Sequence, residues 1–361
     1  MAETSQSVKS DALEPDSREL RSLSPLARIV RLLPVYGVPV LTIILIILFS
    51  VLLPSTFPTW TNARLTMSNQ AVTALLALAV MVPMVAGKID ISIGYGVVLW
   101  EVLAISLQTQ HAVPWPLMVV IVLCGGMLLG VINALLVELA RIDAFIATLG
   151  TGTVIYSLAL WYTNGQQVIG QLPPSFLQLA NASIFGIPAP AVYVLVISIL
   201  MWLALDHLPI GRSLYAVGAN PEAARLNGIN TRKHIIYAFM FSGGLAALAG
   251  VVLASKLRIG QIGVGLDYLL PALVAAFLGS TTIKPGRVNV WGTVIAIVIL
   301  AVGISGLQQL GGAFWVEPLF NGLTLLIAIG IAGVAGRRRA AARRMAPPPP
   351  TQPPPVQPPP G

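Results

Sequence analysis

The residue types that perform catalysis are sparse in this chain, and their spacing matches no catalytic or metal centre. The three histidines, His111, His207 and His234, are far apart in sequence, and none sits in a metal-binding spacing. The only Gly-Lys pair begins at Gly87 and is followed by isoleucine, so the phosphate-binding loop of an ATPase is absent. The hydrolase motif Gly-x-Ser-x-Gly is absent too. The sequence therefore predicts a chain that is not an enzyme and has no catalytic residue, metal site or cofactor of its own.

Charged side chains within apolar segments are stronger functional candidates, because a charge in lipid is costly. Glu101 lies well inside an apolar segment and is the only carboxylate expected to be deep. Asp90 and most other carboxylates fall at segment ends, where charges at the headgroup level are ordinary. A proton-coupled carrier usually needs several embedded carboxylates or histidines, so one glutamate argues against that class. Neutral polar residues could also contact a hydroxylated solute, although such residues more often pack helices. The candidate residues of a solute path are Ser92, Glu101, Asn133, Thr148 and Asn321.

The elements that must position these residues are long apolar segments. Hydrophobic residues make up 56% of the chain and charged residues 9%, against about 25% charged residues in soluble domains. Several runs reach the ~20 apolar residues that a helix needs to cross a bilayer, which predicts an all-α polytopic membrane protein with about ten transmembrane helices. The eighth span is short and amphipathic. The predicted spans are Pro34–Leu53, Ala71–Gly87, Ile91–Leu107, Pro114–Leu139, Ala144–Tyr162, Ala189–Leu205, Ile235–Ala254, Leu266–Thr281, Val288–Leu307 and Phe314–Val334.

The net charge of +8 indicates membrane topology rather than nucleic-acid binding. No basic face interleaved with aromatic residues occurs, so no nucleic-acid partner is expected. With both termini in the cytoplasm, the outer loops hold only three of the 21 basic residues, Arg64, Lys256 and Arg258. This bias follows the positive-inside rule. We therefore expect an even number of spans in the bacterial cell (inner) membrane, with both termini cytoplasmic.

The polar parts of the sequence divide the chain into three regions. Residues 1–33 are expected to be a polar cytoplasmic tail, and residues 34–335 the transmembrane domain. Residues 336–361 combine a basic stop-transfer cluster with a proline-rich tail, which is expected to be disordered and polyproline II-like. That tail could bind a proline-recognition domain, although a passive tail is the favoured interpretation. The uncharged segment Thr163–Pro188 is expected to be a loop.

Small residues at helical spacing indicate where helices approach one another closely. Gly126 and Gly130 are four residues apart in the fourth span, as are Ala246 and Gly250 in the seventh. Packing within the chain is the default expectation for these pairs, and a dimer face is the alternative. Cys124 is the only cysteine, so no intrachain disulfide can form, and a packing role is expected for it.

The longest polar segment between apolar runs is residues 207–234. It contains a strong helix signal, because Asn220 is a good N-cap, Pro221 suits the first helical position and Gly228 suits the position after the end. These residues predict a two-turn helix over Pro221–Asn227. Two turns are marginal in water, so this helix needs something to pack against.

Four stretches resemble the membrane permease subunit of sugar-type bacterial ABC importers, the ribose/xylose group. They occur in the order and spacing typical of that family. The third of them, Gly211–Ile229, is the most specific to that family. Lys88, Asp143 and Lys284-Pro285 replace residues that are more common in the family, and they could alter local loop shape. The four stretches are Val85–Gly94, Ile142–Gly150, Gly211–Ile229, and Phe277–Thr282 followed by Gly286-Arg287 and Trp291-Gly-Thr293.

The resemblance implies an ABC importer permease fold and a set of partners. These are a second permease copy, forming a homodimer in the bilayer, a cytoplasmic ATP-binding subunit that holds ATP and Mg, and an external sugar-binding protein. The segment around Asn220–Gly228 would be the coupling helix that contacts the ATPase. The residues assigned to this contact are Asn220, Pro221, Glu222, Ala223, Ala224, Arg225, Leu226 and Gly228.

The predicted function is the transmembrane path of an ATP-driven importer, for a monosaccharide delivered by the external binding protein. A permease for branched-chain amino acids or another small solute is the nearest alternative. An alternative from a different class is a secondary carrier that needs no ATPase. The sequence does not name the sugar.

Overall fold

The computed structural model describes residues 25–313, 315–327 and 330, and most of them lie in helices. The all-α expectation is therefore confirmed. A π-helical turn, Leu203–His207, continues α7, and strands β1 (Ser183–Ile184) and β2 (Ile187–Pro188) pair as an antiparallel hairpin. The helices are α1 (Pro25–Leu52), α2 (Trp60–Val85), α3 (Ser92–Thr109), α4 (Trp115–Glu138), α5 (Ala144–Thr163), α6 (Pro174–Asn181), α7 (Ala189–Trp202), α8 (Pro209–Ala219), α9 (Pro221–Leu226), α10 (Thr231–Leu257), α11 (Gly265–Gly279), α12 (Val290–Gln309) and α13 (Val316–Ile327).

Seven helices among the described residues are long and apolar enough to cross a membrane. These are α2, α3, α4, α5, α7 with its π-helical turn, α10 and α12. Three shorter apolar helices, Gly37–Leu52, Asp267–Gly279 and Val316–Ile327, coincide with the predicted first, eighth and tenth spans. The chain is thus a multi-pass membrane protein, and the number ten stays a prediction. Residues 1–24 of the predicted N-terminal tail, the whole predicted C-terminal tail and the end of the predicted tenth span lie outside the described residues, whereas residues 25–33 of the predicted N-terminal tail belong to α1.

Helices α2, α3, α10 and α12 form the interior of the bundle, because most of their membrane-length segments are buried. Helices α4, α5 and α7 lie outside them and expose large apolar side chains such as Leu128, Val154 and Leu200. An exposed apolar belt of this kind suits contact with lipid chains or with another helix. Cys124 is exposed on α4, so the expectation that it packs inside the chain is wrong.

The closest helix contact joins α4 to α10 and depends on glycine. A Cβ atom on Gly126 would overlap the backbone oxygen of Gly243, and one on Gly130 would overlap the backbone oxygen of Phe239. Backbone atoms cannot move aside as a flexible side chain can, so only glycine fits at these positions. A Cβ atom on Gly250 would overlap the Cβ atom of Trp100 on α3. Packing within the chain, the default expectation for these small residues, is confirmed.

The segment Thr163–Pro188 is not a plain loop, contrary to the expectation from its polarity. Pro174 occupies the first position of α6, where its fixed φ angle favours helix formation. The fully buried Phe176 anchors α6, and its backbone oxygen accepts a 2.8 Å hydrogen bond from Ser255 Oγ on α10. Phe185 and Gly186, both with positive φ, form the two-residue turn of the hairpin. The proline pair thus starts a short helix rather than only interrupting structure.

Helix α2 begins 11 residues before the predicted start, Ala71. Thr59 is its N-cap and accepts a 3.2 Å hydrogen bond from the Asn62 amide. The first half of α2 carries several polar side chains, which lowered the hydropathy and moved the predicted boundary inward. The helical periodicity continues through them, and they line a cavity described below.

Candidate functional site

The short helix α9 has the local structure that its sequence predicts, with an end one residue earlier, at Leu226. Asn220 is extended (φ −161°, ψ 101°), and its Oδ1 accepts a 3.1 Å hydrogen bond from the Ala223 amide. Pro221 occupies the first turn. Gly228 follows the helix with φ +78°, a conformation that glycine adopts without strain. The cap residues alone therefore determine where this helix begins and ends.

The surface of α9 is largely free of contacts with the rest of the described chain. Ala224 is its only buried residue, whereas Leu226 is 88% exposed. Glu222 and Arg225 approach to 3.7 Å, but both side chains are mostly exposed. An exposed pair of this kind contributes only about 0–1 kcal/mol to stability. These charges and the exposed leucine thus form a surface suited to contact with another protein.

Helix α8 holds α9 against the bundle. Pro209 occupies the first turn of α8, and Leu214 and Val217 face inward and are buried. A Cβ atom on Gly218 would overlap the backbone oxygen of Val85 at the end of α2. The backbone of α8 therefore lies directly on the turn that connects α2 to α3.

A second contact joins α8 to the turn between α11 and α12. The Tyr215 hydroxyl donates a 2.7 Å hydrogen bond to the backbone oxygen of Val288, and the Arg287 guanidinium lies 3.6 Å from the centre of the Tyr215 ring. Burial raises the pKa of the Tyr215 hydroxyl, and the neighbouring Arg287 opposes that shift. Tyr215 thus remains a neutral hydrogen-bond donor at physiological pH.

Asp206, in the π-helical turn after α7, pairs with Lys284 and Arg287 in the turn before α12. Its carboxylate accepts a 2.8 Å hydrogen bond from Lys284 Nζ and lies 3.6 Å from Arg287 Nη2. Trp202 and Trp291 lie nearby, with ring centres 6.2 Å apart, and connect α7 to α12. Sequence analysis treated Asp206 as an ordinary charge at a helix end and missed these pairs. The sequence did contain a signal for these pairs, because Asp206, Lys284 and Arg287 were all expected on the same side of the membrane.

Asp90 lies in the turn between α2 and α3, the segment end where the sequence placed it, and its side chain is fully buried. Its Oδ1 accepts hydrogen bonds from the Ser92 amide (3.0 Å) and the Ser92 hydroxyl (2.6 Å). Its Oδ2 accepts a 3.0 Å hydrogen bond from Ser242 Oγ on α10. The turn is enclosed by other helices, which hydropathy along the chain cannot reveal.

Three of the five candidate path residues meet around this turn. Asn133 Nδ2 donates a 2.7 Å hydrogen bond to Ser92 Oγ, and Thr151 Oγ1 donates a 2.6 Å hydrogen bond to Asn133 Oδ1. Thr148 Oγ1 accepts a 3.1 Å hydrogen bond from the Ile91 amide. Ser92, Asn133 and Thr148 are all buried. In this conformation their polar atoms connect α3, α4 and α5 to one another.

The other two candidates, Glu101 and Asn321, lie away from this network. Glu101 is fully buried on α3, and its Oε1 accepts a long, 3.4 Å hydrogen bond from the Gln261 amide. Among the described residues, Glu101 Oε2 and Asn321 Oδ1 are buried without a hydrogen-bond partner. The described part of the chain contains no group of three or more residues that could hold a metal ion.

Comparison with known proteins places this arrangement among membrane permeases. Residues 64–332 match the family described as the permease component of branched-chain amino acid transport systems. The ribose import permease protein RbsC of Haemophilus influenzae is 31% identical over 290 residues, covering 80% of this chain and 89% of the relative. RbsC of Bacillus subtilis is 33% identical over 287 residues, covering 79% and 88%. The autoinducer 2 import system permease protein LsrD of Escherichia coli K12 is 29% identical over 260 residues, covering 71% and 78%. No solved structure matches the chain.

Proposed function

Because the chain belongs to the family of permease components of branched-chain amino acid-type transport systems, we propose that it forms the transmembrane path of an ATP-driven importer. Its substrate would be a monosaccharide. The two ribose permeases support this choice, since each aligns with about four fifths of the chain. The family description favours branched-chain amino acids as the nearest alternative. Uptake of labelled ribose, with leucine as competitor, distinguishes the two substrates.

The observation that carries the coupling assignment is α9, a capped helix with an exposed surface and direct backing from α8. In the proposal, Asn220–Gly228 contacts a cleft in a separate cytoplasmic ATPase subunit, which holds ATP and Mg. Movement of α9 would pass through two contacts of α8. Gly218 lies against the turn after α2, and Tyr215 lies against the turn before α12. The first turn connects two membrane-crossing helices and the second leads into a third, so α8 can move several helices together.

Transport would then proceed by alternating access between two copies of the chain. An external binding protein delivers the sugar at the outer face. ATP binding closes the ATPase subunits, the coupling helices move, and the path opens inward. In this scheme residues 34–335 form the transmembrane domain, and both tails lie in the cytoplasm. A carrier that needs no ATPase is the competing class, and dependence of uptake on ATP tests it.

Charge reversal on α9 tests the coupling role. We expect Glu222→Lys and Arg225→Glu each to abolish uptake and ATPase association while membrane insertion stays normal. The exposed Glu222–Arg225 pair contributes little to folding, so the loss would reflect a missing partner contact. Uptake into vesicles and co-purification of the ATPase subunit measure the two effects.

Two further variants separate partner contact from contact within the helix. The double variant Glu222→Arg/Arg225→Glu restores an opposite-charge pair on α9, and we expect it to remain inactive. Arg212→Glu reverses an exposed charge on α8, outside the assigned contact, and we expect it to keep uptake. Normal uptake in both single α9 variants contradicts the coupling assignment.

A further inference from the structure

A second group of polar side chains lies at the end of the bundle opposite to α9. Helix α10 begins just after the coupling segment and runs for 27 residues, a length of about 40 Å. Lys256 in its last turn lines a cavity of about 510 Å³ between the first half of α2, the end of α12 and the beginnings of α11 and α13. That volume falls within the roughly 300–1,000 Å³ of small-molecule sites.

One wall of this outer cavity is a chain of amide and hydroxyl groups. Gln309 Nε2 donates to Asn62 Oδ1 (2.8 Å) and to Ser305 Oγ (3.2 Å), and Thr66 Oγ1 donates to Ser305 Oγ (3.2 Å). Among the described residues, no donor reaches Gln309 Oε1. Two other cavities in the described part of the chain are lined mainly by apolar side chains. The outer cavity therefore differs from them in its supply of hydrogen-bonding groups.

The charges around the outer cavity disfavour an anionic ligand. The single cation, Lys256, already donates to Asn69 Oδ1 (3.0 Å) and to the backbone oxygen of Ser68 (3.2 Å). Two carboxylates, Asp267 and Glu317, also line the cavity, and Glu317 Oε2 accepts a 3.0 Å hydrogen bond from Gln308 Nε2. Amides, hydroxyls and carboxylates are suited to the hydroxyl groups of a neutral solute.

Unpartnered acceptors continue from the outer cavity into the bundle. Tyr268 lines the cavity and interacts electrostatically with Glu101 as well as with Asp267 and Glu317. Glu101 therefore lies near Tyr268. Asn321 lies one helical turn beyond Glu317 on α13, and its Oδ1 is also buried without a described partner. The hydroxyl groups of a solute that enters from the cavity would donate hydrogen bonds to both acceptors.

We propose that the outer cavity receives the substrate from the binding protein before the bundle opens inward, and that it selects neutral polyhydroxylated molecules over their phosphorylated forms. Glu101 and Asn321 then offer the next acceptors along the path. The inference rests on the proposed import function and adds to it a location, a ligand class and an order of contacts. Ser92, Asn133 and Thr148 act in this scheme as packing residues of the inner half.

The test uses the full transporter, this chain with its ATPase subunit and binding protein, in proteoliposomes. Gln309→Leu removes an amide from the cavity, and Glu317→Gln exchanges one acceptor oxygen for a donor, both with little change in volume. We expect about tenfold slower ribose uptake for each, the effect of about one lost hydrogen bond. The control Gln178→Leu makes the same change as Gln309→Leu at an exposed position of α6, and we expect normal uptake.

Two measurements keep this result interpretable. Docking of the binding protein should be unchanged in both cavity variants. In a Cys124→Ser background, Thr66→Cys should react with an impermeant thiol reagent from outside, more slowly with ribose present and equally fast with ribose 5-phosphate. This labelling does not depend on the stability of the other variants.

The outcomes separate the inference from the proposed function. Normal uptake in both cavity variants, or labelling that ribose does not slow, overturns the cavity assignment. Loss of uptake caused by weaker docking also overturns it and makes the cavity a docking surface for the binding protein. If the wild-type transporter takes up no monosaccharide, the proposed function itself is wrong.

Discussion

At the scale of single residues, Asp90 shows how a carboxylate can be buried within a membrane protein without a cationic partner among the described residues. Three donors, the Ser92 amide, the Ser92 hydroxyl and the Ser242 hydroxyl, supply its hydrogen bonds. Asp90 thereby fixes the start of α3 and connects it to α10. The turn it occupies is the one that Gly218 of α8 contacts, so Asp90 helps keep that turn rigid.

Removal of this carboxylate should destabilise the chain strongly. In Asp90→Ala, buried donors lose their acceptor, and we expect a loss of about 2–3 kcal/mol in the free energy of unfolding. Asp90→Asn retains an acceptor for Ser92 and should lose less. Thermal unfolding in detergent measures both. The control Asp267→Ala removes an exposed carboxylate and should have little effect, and an equally small effect of Asp90→Ala contradicts the structural role.

At the scale of elements, the α4–α10 contact depends on three glycines rather than on large apolar side chains. In lipid, close backbone approach replaces the hydrophobic effect as the source of helix association. Gly126, Gly130 and Gly243 permit that approach, and α10 is consequently the most enclosed of the long helices.

Alanine substitution in this contact tests the close approach. In Gly130→Ala the new methyl group overlaps the backbone of Phe239, so the helices must separate, and we expect a loss of about 1–3 kcal/mol in stability. The matched control is Gly150→Ala on α5, where no atom lies within 4 Å of the added Cβ. That control should be neutral or more stable by up to about 1 kcal/mol. Equal melting temperatures for the two variants would contradict the packing interpretation.

Local chemistry made some elements predictable from sequence, whereas others depend on distant contacts. Asn220, Pro221 and Gly228 specify α9 through interactions within a few residues, so its position was predictable. The burial of Asp90 results from α4, α5 and α10 enclosing its turn, which no local pattern contains. The polar half of α2 was placed outside the membrane-crossing helix because hydropathy averages over both faces, although the polar face lines a cavity.

At the scale of the whole molecule, the bundle has two chemically different ends. The end that bears α8 and α9 holds Asp206, Lys284 and Arg287 in a compact charged cluster. The opposite end holds the outer cavity, with its amides and carboxylates. The positive-inside rule predicts that the first end faces the cytoplasm, since the loops there are richer in Lys and Arg.

Cysteine labelling can check this orientation because Cys124 is the only native cysteine. In a Cys124→Ser background, Gln178→Cys on α6 should react with an impermeant maleimide in intact cells. Leu226→Cys, at a highly exposed position on α9, should react only after the membrane is permeabilised. The reverse pattern would place α9 outside the cell and remove it from reach of a cytoplasmic ATPase.

The contact of Gly218 with the turn after α2 has a consequence for how such transporters diversify. Backbone atoms make this contact, so it does not depend on which side chains α9 displays. In the proposed coupling scheme, residues 220–228 can therefore change to suit a different ATPase while the connection into the membrane helices stays the same. Under that proposal partner choice and force transmission reside in separate residues, and a lineage could acquire a new energy-supplying subunit without refitting its transmembrane bundle.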